Sequence, residues 1–320
     1  IFSAPPIHPH TKPDSRITYI CRMKTPAAEV QINEKLVKDM LQAQFPNLAH
    51  LPLTYLNEGW DNTIYQLGEN YLIRLPRRSI AVPFIEKEQE WLPRLAEKLP
   101  IPIPAPIYQG KKHGNYPWSW SSTPWFDGHM AAEEGLAPSE ALSLANFLKT
   151  LHQQKFATPP PHNPHRATPL VTKAEGTEER LDRFIQNGRA NAALRKLWDQ
   201  VVKLECPTDE LRLIHGDLHP KNIICTYGYI SAVIDWGDLT LGDPATDLAA
   251  FWLLLSDQQV REEALQFYGV AAELRLRAMG GALFFSAILL DIGLQGDHLF
   301  EEVGQSGLDN LAVSLAHTPA

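Results

Sequence analysis

The residues best suited to do chemistry lie together in residues 213–247, LIHGDLHPKNIICTYGYISAVIDWGDLTLGDPATD. A short apolar run delivers His215-Gly216-Asp217, and Asn222 follows five residues after Asp217. A turn at Tyr227-Gly228 then returns the chain through Ala232-Val233-Ile234 to Asp235. Two strands of one hairpin would set Asn222 and Asp235 near one another, with Asp217 on the loop just before. Phosphoryl transfer asks little covalent chemistry of a protein. It needs hard oxygen ligands for a Mg²⁺ that bridges the phosphates, and a carboxylate to align a hydroxyl and take its proton. An Asp, an Asn and a second Asp in this order supply that set. His215 reads as a residue that holds the loop backbone through a buried hydrogen bond.

The rest of the chain must position that segment. Residues 30–45 carry Val30, Ile32, Leu36, Val37, Met40 and Leu41 at broadly helical spacing. Residues 63–67 and 71–75 are β-rich runs, with Gly68-Glu69-Asn70 between them as a hairpin turn. Residues 83–99 read as a helix with Pro in its first turn, and the alternating prolines of 100–106 force an extended connector. Residues 107–126 give further strands, on which Trp118 and Trp120 share a face as packing residues. Beyond Gly128 the pattern turns helical: 139–152, 178–187 and 192–204, a Pro/His loop at 158–169, and helices from 244 onward with a break at 293–296. Short strands at 212–214, 223–225 and 232–234 interrupt it. A β-rich first half and a helical second half predict a two-lobed α+β protein, with lobes at 23–126 and 127–320. Residues 1–22, rich in Pro and His and followed by Met23, are expected to be a poorly ordered upstream extension.

Composition narrows the functional classes. A chain of 320 residues, 44% apolar and 21% charged, is an ordinary globular protein large enough for two lobes and a cleft. Its net charge of −8 argues against a nucleic-acid partner. Cys21, Cys206 and Cys225 form no CxxC, which predicts free thiols and a reducing, cytoplasmic location. No unbroken apolar run is long enough to cross a bilayer, so no membrane partner is expected, and 280–290 reads as a buried helix.

HGDLHPKN resembles the HGDxxxxN catalytic loop of the aminoglycoside phosphotransferase family, which includes macrolide kinases and shares the protein-kinase-like fold. IDWGD is similar to its metal-binding IDxG, and Gly242-Asp-Pro-Ala-Thr-Asp247-Leu-Ala to its GDPxxDLA. The resemblance implies a bilobal fold, with a β-rich nucleotide-binding N-terminal lobe and a mainly helical catalytic C-terminal lobe. It implies Asp217 as the base, Asn222 and Asp235 as Mg²⁺ ligands, and Asp247 as a residue bonding the catalytic-loop backbone. ATP or GTP would be the donor and a small hydroxylated molecule the acceptor. Arg74 stands where the family places a strand Lys, with Glu88 as its helix partner, a departure that changes how phosphates are contacted. Pro124 C=O and Phe126 N–H occupy the hinge that would hold the nucleotide base. Glu58-Gly-Trp-Asp-Asn62 takes the place of the phosphate-covering loop without its glycines. Asp127, Glu133, Glu134, Asp238, Asp257 and Asp291 are the carboxylates available to a cationic acceptor, while aromatic residues such as Phe284 and Phe285 would suit an apolar one. A kinase-like protein that binds nucleotide without turnover remains the alternative, and a metal-dependent hydrolase is a third reading.

Overall fold

The computed structural model describes residues 26–155, 160, 162–163, 166 and 168–316. The expected extension 1–22 and part of the 158–169 loop lie outside them. Helix α1 (Glu34–Gln44) begins later than the apolar spacing indicates, because the Asn33 side chain accepts from Leu36 N–H at 2.9 Å and caps it there. It lays Val37, Met40 and Leu41 on a sheet built from β1 (Leu53–Glu58), β2 (Asn62–Leu67) and β3 (Tyr71–Pro76). Helix α2 (Val82–Ala96) follows, then β4 (Tyr108–Gly110) and β5 (Trp120–Pro124). The five strands are antiparallel in the order β1-β2-β3-β5-β4. Trp120 lies in β5 and is fully buried; Trp118 precedes the strand and packs on the same core.

Helix α2 belongs to both halves of the protein. Its last turns bury Trp91, Leu92 and Leu95 in the large hydrophobic cluster of the helical lobe, together with Ile101 and Ile103 of the extended connector. Pro102 C=O accepts from Val233 N–H at 3.0 Å, which fastens that connector to the hairpin of residues 223–233.

The second lobe runs through β6 (His129–Met130), α3 (Ala131–Glu134), α4 (Glu140–His152), α5 (Ala174–Gln186) and α6 (Ala192–Val201). Then come β7 (Arg212–Ile214), β8 (Ile223–Thr226), β9 (Tyr229–Val233) and β10 (Thr240–Gly242). Strands β6, β8 and β9 form one small sheet, β10 and β7 another. Among the described residues five helices follow: α7 (Ala245–Leu248), α8 (Ala250–Leu254), α9 (Gln258–Tyr268), α10 (Ala272–Gly293) and α11 (His298–Ala316). The two-lobed α+β architecture read from the sequence is therefore the observed one. Cys206 and Cys225 are both free thiols.

Helix α10 is long and apolar enough to cross a membrane, yet 78% of its most apolar window is buried inside the protein. Its neighbours use it as the spine of the helical lobe. The α10–α11 hairpin closes without side chains at the crossing: a Cβ on Gly304 would lie 2.3 Å from Leu290 N, and one on Gly293 2.1 Å from Glu301 N. Two backbones meet there, so nothing flexible can yield. We expect Gly304→Ala to lower the unfolding free energy by about 2 kcal/mol or more, by forcing the helices apart, measured as a shift in the urea midpoint at unchanged slope.

Candidate active site

The site is built around one buried carboxylate. Asp247, fully buried on α7, accepts from His215 N–H at 2.7 Å and Gly216 N–H at 2.9 Å. Its third partner is the His152 ring, 3.1 Å away, whose other nitrogen meets the Tyr268 hydroxyl at 2.7 Å. Burial pushes the Asp247 carboxyl up, but the His152 hydrogen bond and the neighbouring charge outweigh it and hold it below the usual carboxylate range. Gly216 turns the chain at φ +88°, where a Cβ would stand 2.8 Å from Asp238 C=O. The His215 ring accepts from Asp217 N–H through Nδ1 at 3.3 Å, so Nε2 carries the proton and donates to Ile234 C=O at 3.0 Å. One imidazole thus ties the Asp217 loop to the strand that leads into Asp235.

The hairpin sets the other two predicted residues together. Ile223 faces Val233 across β8 and β9, and Ile234 N–H donates to Asn222 C=O at 2.9 Å. Asn222 gives its Nδ2–H to Asp217 C=O at 2.8 Å, which leaves Oδ1 as a hard oxygen for a cation. Asp235 holds φ +63°, a backbone conformation that side-chain-bearing residues seldom adopt and that clusters at functional sites. Among the described residues no group of three or more His, Cys, Asp or Glu side chains is arranged around a metal position. A Mg²⁺ that shares phosphate oxygens and water needs only one or two protein oxygens, and the Asn222 and Asp235 donors fit that requirement.

Asp217 itself sits among charges. Arg166 lies 2.8 Å from Asp217 and 2.8 Å from Asp238, which also accepts from Asn163 Nδ2 at 2.7 Å. Burial pushes the Asp217 carboxyl up to about 7, against the pull of Arg166 and with the help of the nearby Asp238 and Asp235 charges. Asp238 goes the other way: burial raises it, but Arg166 and the Asn163 hydrogen bond bring it below its ordinary value. His219, 3.8 Å from Asp217, is pushed down to about 3 by burial first, and then by the charges of His215, Arg166 and Lys221.

The N-terminal lobe contributes from above. Arg74 on β3 meets Glu88 on α2 at 2.6 Å, with the Glu88 side chain fully buried. Burial lifts the Glu88 carboxyl, and the Arg74 charge opposes that rise. The preceding residue, Lys87, donates to Leu239 C=O at 2.8 Å, directly joining α2 to the loop after Asp235. The 58–62 turn is held rigid from behind, since Arg77 binds Gly59 C=O at 3.0 Å and Arg78 binds Trp60 C=O at 3.2 Å. At the hinge, Trp125 N–H donates to Asn70 C=O at 2.8 Å. In the alternation of an antiparallel ladder this turns Pro124 C=O and Phe126 N–H away from β3.

A sequence model of the phosphotransferase enzyme family APH matches residues 52–280, from β1 into α10 and including every site residue above. The chain belongs to this family. Hygromycin-B 4-O-kinase of Escherichia coli is 32% identical over 114 residues, 34% of this chain, and that stretch spans only 30% of the kinase's own length. Among solved structures, the GDP complex of aminoglycoside 2′-phosphotransferase-IIIa superposes with a TM-score of 0.60 at 18% identity, covering 88% of this chain and all of that one. Macrolide 2′-phosphotransferase MphH of Brachybacterium faecium gives 0.54 at 21% identity, covering 86% and 97%. At such identities the likeness is one of fold, the kinase-like pair of lobes.

A cavity of about 320 Å³ opens on Asp217 in this APH-family protein, lined also by Trp60, Arg166 and the apolar face of α10. The carboxylates offered by the sequence for a cationic acceptor are engaged instead. Asp238 is held by Arg166 and Asn163, and Asp291 by Arg180 and Arg183. Asp257 caps α9 at Val260 N–H, Glu133 bonds Met130 N–H, and Glu134 bonds Gly228 N–H. Asp127 accepts from Trp125 Nε1. Sequence reasoning missed Arg166, Asn163, Lys87 and His219 as neighbours of the site. A single Arg within a Pro/His-rich loop was the one visible sign of Arg166.

Removing Asp247 strands three buried donors. Asp247→Ala is expected to cost about 3–5 kcal/mol of stability, read by urea denaturation. His219 gives a pH signature. Its folded pKa lies below its unfolded value of 6.5, so its stabilising contribution is complete above pH 6.5 and is lost as pH falls toward about 3. Wild type should therefore lose stability over that window more steeply than His219→Gln, by at most about 1.4 kcal/mol per pH unit, in urea titrations at stepped pH.

Proposed function

We propose that this protein is a small-molecule kinase that transfers the γ-phosphoryl group of ATP or GTP to a hydroxyl of an aminoglycoside, a macrolide or a similar acceptor. The observation that carries the reading is the convergence of Asp217, Asn222 and Asp235 on one hairpin braced by Asp247 and His215. Asp217 orients the acceptor hydroxyl and takes its proton as the new O–P bond forms and the nucleoside diphosphate leaves. Asn222 Oδ1 and the Asp235 carboxylate would hold Mg²⁺, which when bound neutralises charge on the phosphate oxygens. Arg74, aligned by Glu88, is assigned to the phosphates of the nucleotide, and Pro124 C=O with Phe126 N–H to the edge of its base. The burial that raises Asp217 makes it a stronger base than an exposed carboxylate, and Arg166 keeps it from becoming too weak an acid to ionise.

One observation favours the alternative of nucleotide binding without turnover: Arg166 already occupies Asp217 in an ion pair. A nucleotide-release assay over aminoglycoside, macrolide and simpler alcohol acceptors separates the two. The kinase reading expects acceptor-dependent release of nucleoside diphosphate that Asp217→Ala lowers by about 10²–10⁴-fold, with nucleotide affinity little changed. It also expects Arg74→Ala to act mainly by raising the KM for nucleotide. Binding of Mg·ATP or Mg·GTP with no transfer to any acceptor, unaffected by Asp217→Asn, would establish the alternative.

A further inference from the structure

The cavity next to Asp217 has one wall of a single chemical kind. Phe285, Ile288, Leu289 and Ile292 follow one another at i, i+3, i+4 and i+7 along α10, and so share a face of that helix. Phe300 of α11 extends the wall, and Trp60, at the tip of the β1–β2 turn and half exposed, stands across from it. Phe285 and Leu289 are buried and also belong to the core, so the stripe meets the cavity mainly through the half-buried Ile288 and Ile292. A half-exposed Trp facing an apolar helix is a surface that gains by being covered.

The charges around that wall do not suit a polycation. Asp217 and Asp238 share Arg166, whose guanidinium lines the cavity. Asp291, next to Ile292 on α10, is claimed by Arg180 and Arg183. Asp297, at the start of α11, is paired with Lys221 at 2.9 Å, and that ammonium also stands 3.6 Å from the Phe300 ring. Lys173 lies 4.6 Å from the ring of Phe284, close enough to Arg166 for burial and that charge together to bring its pKa down to about 8. An ammonium entering here would meet the Arg166 guanidinium and carboxylates that already have cationic partners, with the Lys221 and Lys173 ammonium groups set against aromatic rings nearby.

We infer that the acceptor hydroxyl is carried on a bulky, mainly apolar skeleton bearing at most one positive charge, seated between Trp60 and the α10 stripe, and that polycationic acceptors are rejected. This rests on the kinase reading of Asp217 and deepens it. The cavity lies at the lower end of ligand-site volumes. It takes the hydroxyl-bearing part of a large molecule, or the whole of a small one.

The test is a pair of calorimetric titrations on the full chain with Mg²⁺ and a non-hydrolysable nucleotide, one with erythromycin, a macrocycle bearing a single amine, and one with kanamycin, a polyamine. The expected result is at least tenfold tighter binding of erythromycin. Ile288→Asp and Ile292→Asp, each checked for folding by its thermal melt and for unchanged nucleotide binding, should weaken erythromycin at least tenfold. Kanamycin bound as tightly or more tightly, no measurable binding of erythromycin, or erythromycin binding untouched in a folded variant overturns the inference. Turnover is read separately: a preference for erythromycin with no phosphoryl transfer leaves the pocket assignment standing and removes the kinase reading, whereas phosphorylated kanamycin does the reverse.

Discussion

A carboxylate with no access to water must find donors or lose its charge, and the loop that carries Asp217 is organised by how Asp247 meets that demand. Two of its three partners are the consecutive N–H groups of His215 and Gly216, so satisfying one side chain fixes the backbone immediately before Asp217. The third, His152, comes from α4 and passes the constraint on to Tyr268 of α9. His215 then uses its ring to relay the same positioning to Ile234, one residue before Asp235. Both acidic residues of the proposed chemistry are therefore placed from behind by groups that take no part in it.

Helix α2 makes the other essential connection. Within a single turn it sends Glu88 to Arg74 in the sheet and Lys87 to the carbonyl of Leu239 in the helical lobe, while its last turns are sunk in the core of that lobe. The position of the N-terminal sheet over the β8–β9 hairpin is thus set by buried, directional contacts as well as by apolar packing. Arg74 suits this design, since a guanidinium can grip a carboxylate with part of its fork and keep other donors available. Arg166 adds a second tie beside the hairpin, joining Asp217 to Asp238 at the cavity.

Much of this was legible in the chain. The strands at 212–214 and 223–225, the hairpin turn at Tyr227-Gly228, the helix break at 293–296 and the two-lobed order all carry local signatures: alternation, turn glycines and helical spacing. Asp217, Asn222, Asp235 and Asp247 stood out because they fall within 31 residues of one another at recognisable intervals. The start of α1 was misplaced by a few residues because apolar periodicity continues past the capping Asn33. The six carboxylates offered to a cationic acceptor were equally reasonable in sequence. The spacing gave no sign of their partners, such as Arg180 for Asp291, 111 residues away, and Asn163 for Asp238, 75 residues away.

That contrast marks the division. The sequence by itself determined the order of elements, the hairpin and the identity of the acidic and amide groups on it, because these depend on periodicity and turn chemistry within a few residues. Tertiary structure alone decided which charges are neutralised, that Asp217 lies beside Arg166 and His219, and that Trp60 lines one cavity with the α10 residues from Phe285 to Ile292. Burial and ion pairing depend on what arrives from distant parts of the chain, and no local spacing records that arrival.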